Sequence, residues 1–462
     1  MLVAGALAVH WPVRHGYFQV EDALWLHLAH WSSVLDSFHG PWGHGAAYRP
    51  LMRVSYYLDA LLFGGDAAAW HLENAVLHGL NALLLAVLLR RFRMPPVLAV
   101  VAALLFVAAP LSSESVDWIS GRTTLLCLAL MLAATLCWAA ALETGRLAPG
   151  ILCLVFGVLA GMAYEAVVAL PAVLLVLTPI ACRQFRVGPG RALRLPLTLG
   201  LVLAVFLALR AWFLGQAMGG PDALHQSLWT ALASNLPQVF IFFDAWWGPT
   251  ALWMLAAILV GSLMIRRRWY YGVILAAVAV LLYLPYIIVA GVGGRYFYMF
   301  QVPLCVLLVL PMTLLPRAWL RNGAALAMVV LLVPGFVTTS RRDAGLFADA
   351  GAHTRRLMEL VAAALPRDGT RTVIDNVPDL FLGRPILSDY FELAMQDYLG
   401  PNPPYLVRST ALSGDNAALK AVFDGPTRFL RFDPSSETVE IESREAWLAG
   451  LQHPPSWPII WR

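Results

Sequence analysis

Charge is what this sequence has least of. Aspartate, glutamate, lysine and arginine make up 13% of its 462 residues, about half of the roughly 25% found in soluble domains. Lysine is nearly missing: Lys420 stands alone, so the net charge of +4 rests on arginine. Cysteine is scarce too. Cys127, Cys137, Cys153, Cys182 and Cys305 lie in or beside apolar runs and none falls in the last 120 residues or so, which argues against a disulfide framework or a zinc site. The opening Met1–Pro12 lacks the basic start and cleavage site of a signal peptide. Internal repeats, a glycine-rich phosphate loop and a metal motif are missing from the C-terminal part, so its function is not readable. No metal is expected.

What is there instead is hydrocarbon. Sixty per cent of the residues are hydrophobic and the mean hydropathy is +0.69. Runs such as Leu98–Ala108, Ile151–Met162 and Val273–Val280 carry no charge. They sit within segments long enough to cross roughly 30 Å of bilayer core. The expected fold class is a polytopic α-helical membrane protein of about eleven spans with a small C-terminal α/β soluble domain. The spans are placed at a short first helix within 1–12, then 67–90, 96–112, 122–142, 148–163, 166–182, 195–213, 250–265, 270–290, 297–316 and 322–340. Residues 1–340 form the membrane domain, with a long first outer loop at about 13–66, and 341–462 the soluble domain. In the loop, Asp22–Leu35 has Leu24, Leu28 and Trp31 at helical spacing, as in a helix lying in the membrane interface. In the tail, Arg355–Leu365 and Asp389–Leu399 read as helices, and Thr370–Val377, Tyr405–Ser409, Thr427–Phe432 and Thr438–Ile441 as strands.

Arginine sets the orientation. Arg90, Arg91, Arg93, Arg146, Arg183, Arg186, Arg191, Arg194, Arg266, Arg267, Arg268, Arg317 and Arg321 fall in one set of alternating loops. The other set holds only Arg14, Arg49, Arg53, Arg122, Arg210 and Arg295. The richer set is expected to be cytoplasmic, which places the C-terminal domain outside the cell membrane. This distribution accounts for the basic balance, and no nucleic-acid partner is expected. Arginine in place of lysine, with abundant alanine, leucine and valine, points to a GC-rich bacterial genome and hence to an inner membrane.

Ionisable residues near a bilayer are expensive and mark sites by default. Here they gather on the expected outer side. Glu21-Asp22 offers either a general base or a helix N-cap. Tyr48-Arg49-Pro50-Leu51 offers an anion site or an interfacial anchor. His71, Asn74, His78 and Asn81 share one stripe of the second span, facing either a wet cavity or neighbouring helices through packing hydrogen bonds. Ser112-Ser113-Glu114-Ser115-Val116-Asp117-Trp118, ending Gly121-Arg122, puts two carboxylates and an arginine in one short loop. Tyr164-Glu165 and Gly294-Arg295-Tyr296-Phe297-Tyr298 add a further acid and arginine. Polar loops capping helix ends would account for the last three equally well.

The order of these clusters resembles the membrane part of the transmembrane-TPR protein O-mannosyltransferases and their bacterial relatives, within the GT-C superfamily. The shared pattern runs from an acidic pair after the first span, through YRPL and HLxNxxLHxxN, to the Pro-Leu-Ser-Ser-Glu-Ser-Val-Asp-Trp-Ile-Ser-Gly-Arg loop. Tyr164-Glu165 followed by Val168-Ala169-Leu170-Pro171, and Gly294-Arg295-Tyr296-Phe297-Tyr298, continue it. The likeness covers about residues 15–300 and is specific from 48 to 122. The chain departs from the family in lacking TPR repeats, in its short first helix, and in a tail that the likeness does not reach.

The resemblance implies an inverting hexosyltransferase that uses a polyprenyl-phosphate-linked sugar as donor. Its acceptor would be an extracytoplasmic protein hydroxyl or cell-envelope glycan. Arg49, Arg122 and Arg295 would hold the donor phosphate, Asp22 would be the general base, and Glu114 a second acid. Glu21, Tyr48, His71, Asn74, His78, Asp117, Glu165 and Tyr296 would line the cavity. A metal is not required where arginines take the charge of a lipid monophosphate, and no other cofactor is implied. A transporter or flippase of a lipid-linked saccharide is the alternative, although no inverted repeat with broken helices is visible. A scaffold would have no use for converging acids and arginines.

Overall fold

In hydrocarbon a segment must satisfy its own backbone, and the helix is the local way to do so. In the computed structural model the described residues are 1–31, 33–39, 48–214, 269–287, 294–368, 370–381, 384–387, 390–400, 406–408, 426–452 and 460–461, with Thr230, Ala233 and Pro237. They form α1 (Leu2–His10), α2 (Asp22–Trp31), α3 (Pro50–Phe63), α4 (Ala67–Arg91), α5 (Pro96–Ala108), α6 (Ser113–Asp117), α7 (Arg122–Thr144) and α8 (Leu147–Ala163). Then come α9 (Ala169–Phe185), α10 (Pro189–Leu214), α11 (Trp269–Ile287), α12 (Gln301–Val309), α13 (Ala318–Ala364), α14 (Phe391–Leu399) and α15 (Arg444–Gln452). Contacts divide the chain into two units. The first holds Met1–Trp11, Val34–Ser55 and Leu72–Asp343, the second Pro12–Ser33, Tyr56–His71 and Ala344–Arg462.

The first unit is a helical bundle around one apolar core that includes Phe106, Leu125, Met131, Leu174 and Val306. Local chemistry sets its joints. Gly145, in the left-handed region at φ 69°, closes α7 and turns the chain into α8. Pro110 disfavours helical backbone at the residue before it, and Ala109 is extended, so the chain bends by 57° between α5 and the Pro110–Asp117 segment. Small residues let helices cross closely: a Cβ on Gly79 would lie 2.5 Å from the Cα of Val3. Ser340 donates to the carbonyl of Ala108 at 2.9 Å within this unit.

Five described helices are long and apolar enough to cross a bilayer, or six if the bent pair is one span. The expected eleven are therefore not reached among the described residues. The first helix has 9 residues, α8 has 17 and α12 has 9 before a tighter turn takes over. The span expected at 250–265 lies outside the described residues. The separate helix expected at Arg355–Leu365 is also corrected. Residues 318 to 364 form one helix of 47 residues, with Pro334 inside it. Composition changes near Ser340 without a helix-breaking signal there.

The second unit is α/β. Its main sheet has the order β4-β1-β5-β6, made of β4 (Leu406–Arg408), β1 (Arg371–Asp375), β5 (Thr427–Asp433) and β6 (Thr438–Glu442). Strand β1 runs parallel to β4 and β5, and β6 returns antiparallel to β5. A smaller sheet joins β3 (Arg384–Pro385), β2 (Leu380–Phe381) and β7 (Ile460–Trp461). The core of this unit gathers Leu357, Val361, Ile374, Phe391 and Phe432 with Ala23 from α2.

Candidate functional site

One charge cluster in the first unit is built on a break between two helices. Helix α8 ends at Ala163, Tyr164 is extended at φ −161° and ψ 143°, and Glu165 opens a short turn leading into α9. The break lets Glu165 project from an otherwise apolar stretch. Its Oε1 accepts from Arg210 Nη2 at 2.7 Å, and its Oε2 accepts from Arg49 Nε and Nη2, each at 3.0 Å. The Arg210 side chain is 1% exposed and Glu165 7%, whereas Arg49 is 24% exposed. The Arg49 guanidinium also lies 4.6 Å from the ring centre of Tyr164.

A second cluster joins the loop after α5 to the turn before α12. Glu114 accepts from the backbone N–H of Gly294 at 2.5 Å and lies 4.0 Å from Arg295. Arg295 packs over the rings of Trp118 at 4.7 Å and Tyr296 at 5.4 Å. Both charged side chains are partly exposed, 26% for Arg295 and 20% for Glu114. Tyrosines link the two clusters. Tyr164 lies 5.9 Å from Tyr286, and Tyr286 lies 5.0 Å from Tyr296, centre to centre. Arg49 and Arg295 thus stand at the two ends of one aromatic row.

Beside this row a buried polar network fixes the loop. Arg122 is wholly buried, donates to Asn74 Oδ1 at 2.9 Å, and lies 3.7 Å from Glu73. Asn74 in turn donates to the carbonyls of Trp118 and Ile119 at 3.0 and 3.2 Å. Asp117 pairs with His10 at 2.7 Å, both wholly buried. His78 meets the Tyr298 hydroxyl at 2.8 Å, and Asn81 donates to the same oxygen at 3.0 Å. Asn74, His78 and Asn81 are fully buried, as the cost of exposing amides and imidazoles to lipid demands. Among the described residues no three histidine, cysteine or acidic side chains converge to hold a metal ion.

The structure therefore brings together Arg49 with Glu165, Glu114 with Arg295 and Tyr296, and Asn74 with Arg122. Arg122 spends its guanidinium on protein partners inside the bundle. Tyr48 is half-buried. Glu21, Asp22 and His71 belong to the second unit. There Asp22 is fully buried and accepts from the Gln19 backbone N–H at 3.0 Å, Glu21 is half-buried, and His71 is fully buried. Sequence reasoning missed Arg210, His10 and Tyr286 as members of these clusters. For Arg210 a signal existed, since an arginine inside an apolar run is a site by default.

An apolar cavity of about 600 Å³ lies in the same unit. Its walls follow α9 from Leu170 to Gln184 and α11 from Leu282 back to Tyr270, with Leu85 to Pro95 of the α4 end beside them. Leu170 and Leu282 lie about one turn of helix from Glu165 and Tyr286, and fourteen residues of α9 span about 20 Å.

No family model matches the chain, and no curated protein matches it. Among solved structures it is similar to ArnT from Cupriavidus metallidurans bound to undecaprenyl phosphate, with a TM-score of 0.51 and 15% identity over 98% of this chain and 94% of that one. The apo state of the same ArnT gives a TM-score of 0.49 at 16% identity, over 98% of this chain and 94% of that chain. The oligosaccharyltransferase of Archaeoglobus fulgidus in its apo form gives 0.46 at 12% identity, over 81% of this chain and 62% of that chain.

Proposed function

From a chain that shares the GT-C fold of ArnT, we propose a membrane glycosyltransferase that moves a sugar from a polyprenyl-phosphate donor to an extracytoplasmic acceptor. One observation carries this reading. Two partly exposed guanidiniums, Arg49 and Arg295, bracket a row of tyrosines, and an apolar cavity of about 600 Å³ starts close to that row. A lipid phosphate has the matching halves: an anion for the arginines and a long hydrocarbon chain for the cavity.

The acceptor oxygen attacks the anomeric carbon as the bond from that carbon to the phosphate oxygen breaks. The departing phosphate gains negative charge, which preorganised guanidiniums stabilise. The acceptor proton passes to a carboxylate, and attack opposite the leaving group inverts the anomeric centre. Asp22 is proposed for the proton on the resemblance. Glu114 is the competing carboxylate, being 20% exposed where Asp22 is fully buried. The charge of the leaving group needs no divalent metal when arginines meet it, and the chain would work in a bacterial inner membrane.

The test is release of free lipid phosphate when the purified protein, in lipid nanodiscs, is given polyprenyl-phosphate sugars and an acceptor. Arg49→Ala and Arg295→Ala are each expected to lower turnover about 10²–10³-fold, the scale of losing one charge-stabilising donor. Asp22→Asn is expected to abolish transfer while Glu114→Gln keeps it, and the reverse result would move the base to Glu114. No turnover with any donor would shift the reading to a transporter of lipid-linked saccharides.

A further inference from the structure

The second unit holds a small cavity of about 220 Å³ that the proposed transfer does not use. One wall comes from Tyr17 and Phe18, just ahead of α2. Leu26 and His30 line it from α2 itself, and Asp397 and Tyr398 from the end of α14. Helical spacing explains the α2 contribution, since residues four apart share a face. The Asp397 carboxylate is held at 3.0 Å by the His27 imidazole, with its side chain 6% exposed.

The lining sorts the possible ligands by chemistry. At about 220 Å³ the cavity is smaller than the roughly 300–1,000 Å³ of drug-sized sites, so it fits a single ring. Aromatic faces suit the apolar C–H surface of such a ring, while a carboxylate, a phenol and an imidazole suit hydroxyl groups. A cation is a poor match, because His27 already engages Asp397 and the Arg355 guanidinium lies 5.9 Å from the ring centre of Tyr17. An anion is a poor match because Asp397 lines the wall. Burial pushes the Tyr17 hydroxyl above its ordinary pKa of 10, so it keeps its proton to donate.

We propose that this cavity is a binding site for one neutral sugar ring, formed by Tyr17, Phe18, His30, Asp397 and Tyr398. It stands on the second unit alone and does not depend on the transferase reading.

The experiment uses the full chain in lipid nanodiscs prepared without glycoside detergent. Methyl glycosides of mannose, glucose, galactose and N-acetylglucosamine are the probes, read by saturation-transfer difference NMR. At least one glycoside is expected to bind, and Tyr398→Ala and Asp397→Asn should each weaken it about tenfold, the scale of one hydrogen bond or stacking contact. Tyr398 is 39% exposed, so its truncation leaves the fold intact, and donor turnover by that variant should be unchanged. The proposal is overturned if no glycoside gives a signal, if Tyr398→Ala binds as well as the parent, or if tetramethylammonium displaces the sugar.

Discussion

The carboxylate of Glu165 is expected to hold the first unit together as well as to place Arg49. Among the described residues Glu165 is the only ion-pair partner of Arg210, at 2.7 Å, and the two side chains are 7% and 1% exposed. Removing the acid leaves a guanidinium in a low-dielectric interior with its charge uncompensated. Breaking one partner out of a buried pair costs about 3–5 kcal/mol. The loss falls mainly on Arg210, because Arg49 is 24% exposed and can turn toward polar surroundings. Glu165→Gln keeps an acceptor oxygen but not the charge, so the expected cost is about 3 kcal/mol, with Glu165→Ala nearer 5 kcal/mol. Thermal unfolding in nanodiscs, followed by tryptophan fluorescence, measures the difference. The double variant Glu165→Leu/Arg210→Met should regain most of the loss, since replacing a whole buried pair by apolar groups is often neutral. A Glu165→Gln variant that melts with the parent would falsify this account of the pair.

Two further predictions separate structural from chemical roles. Arg122→Lys is expected to cost about 1–3 kcal/mol in the same unfolding assay, because lysine cannot reproduce the planar donors that reach Asn74 and Glu73; a variant of parental stability with selectively weakened donor binding would instead make Arg122 a phosphate ligand. Gly79→Ala is expected to cost about 1–3 kcal/mol by overpacking, since its Cβ would lie 2.5 Å from the Val3 backbone. An unchanged melting temperature would show that α1 does not dock on α4 at that glycine.

Much of this fold is legible in the sequence because its elements answer to local signals. The apolar run read at 67–90 is the helix Ala67–Arg91, and the strand read at Thr427–Phe432 is Thr427–Asp433. The stripe of Asn74, His78 and Asn81 is buried because an exposed stripe of that kind would be too costly in lipid. Hydropathy is blind to breaks in the backbone. It runs through Ala109-Pro110 as one span, yet the chain bends there by 57°. The change of composition near Ser340 falls close to the division between the units at Asp343, but composition reports surroundings and α13 continues through it. Partners distant in sequence were the least legible. Nothing local to Glu165 points to Arg210, 45 positions away, and nothing in Met1–Pro12 announces that His10 will meet Asp117.

The placement of the two arginines on Glu165 has a physical logic. A guanidinium buried as deeply as Arg210 needs a fixed counter-charge, and Glu165 provides it through one oxygen. The other oxygen holds Arg49, whose partial exposure leaves it able to exchange that carboxylate for an incoming anion. Arg210 therefore holds Glu165 in place from the buried side, while Arg49 meets the same carboxylate from the more exposed side. The loop carrying Glu114 is fixed differently, by Asn74 gripping its carbonyls, by His10 on Asp117, and by Glu114 itself on the Gly294 N–H. Three anchors on a loop of this length hold Glu114 beside Arg295 before any ligand arrives, which is the preorganisation that charge stabilisation requires. In the proposed transfer, the two partly exposed arginines at the ends of the tyrosine row meet the phosphate, one placed by Glu165 and the other beside the anchored Glu114.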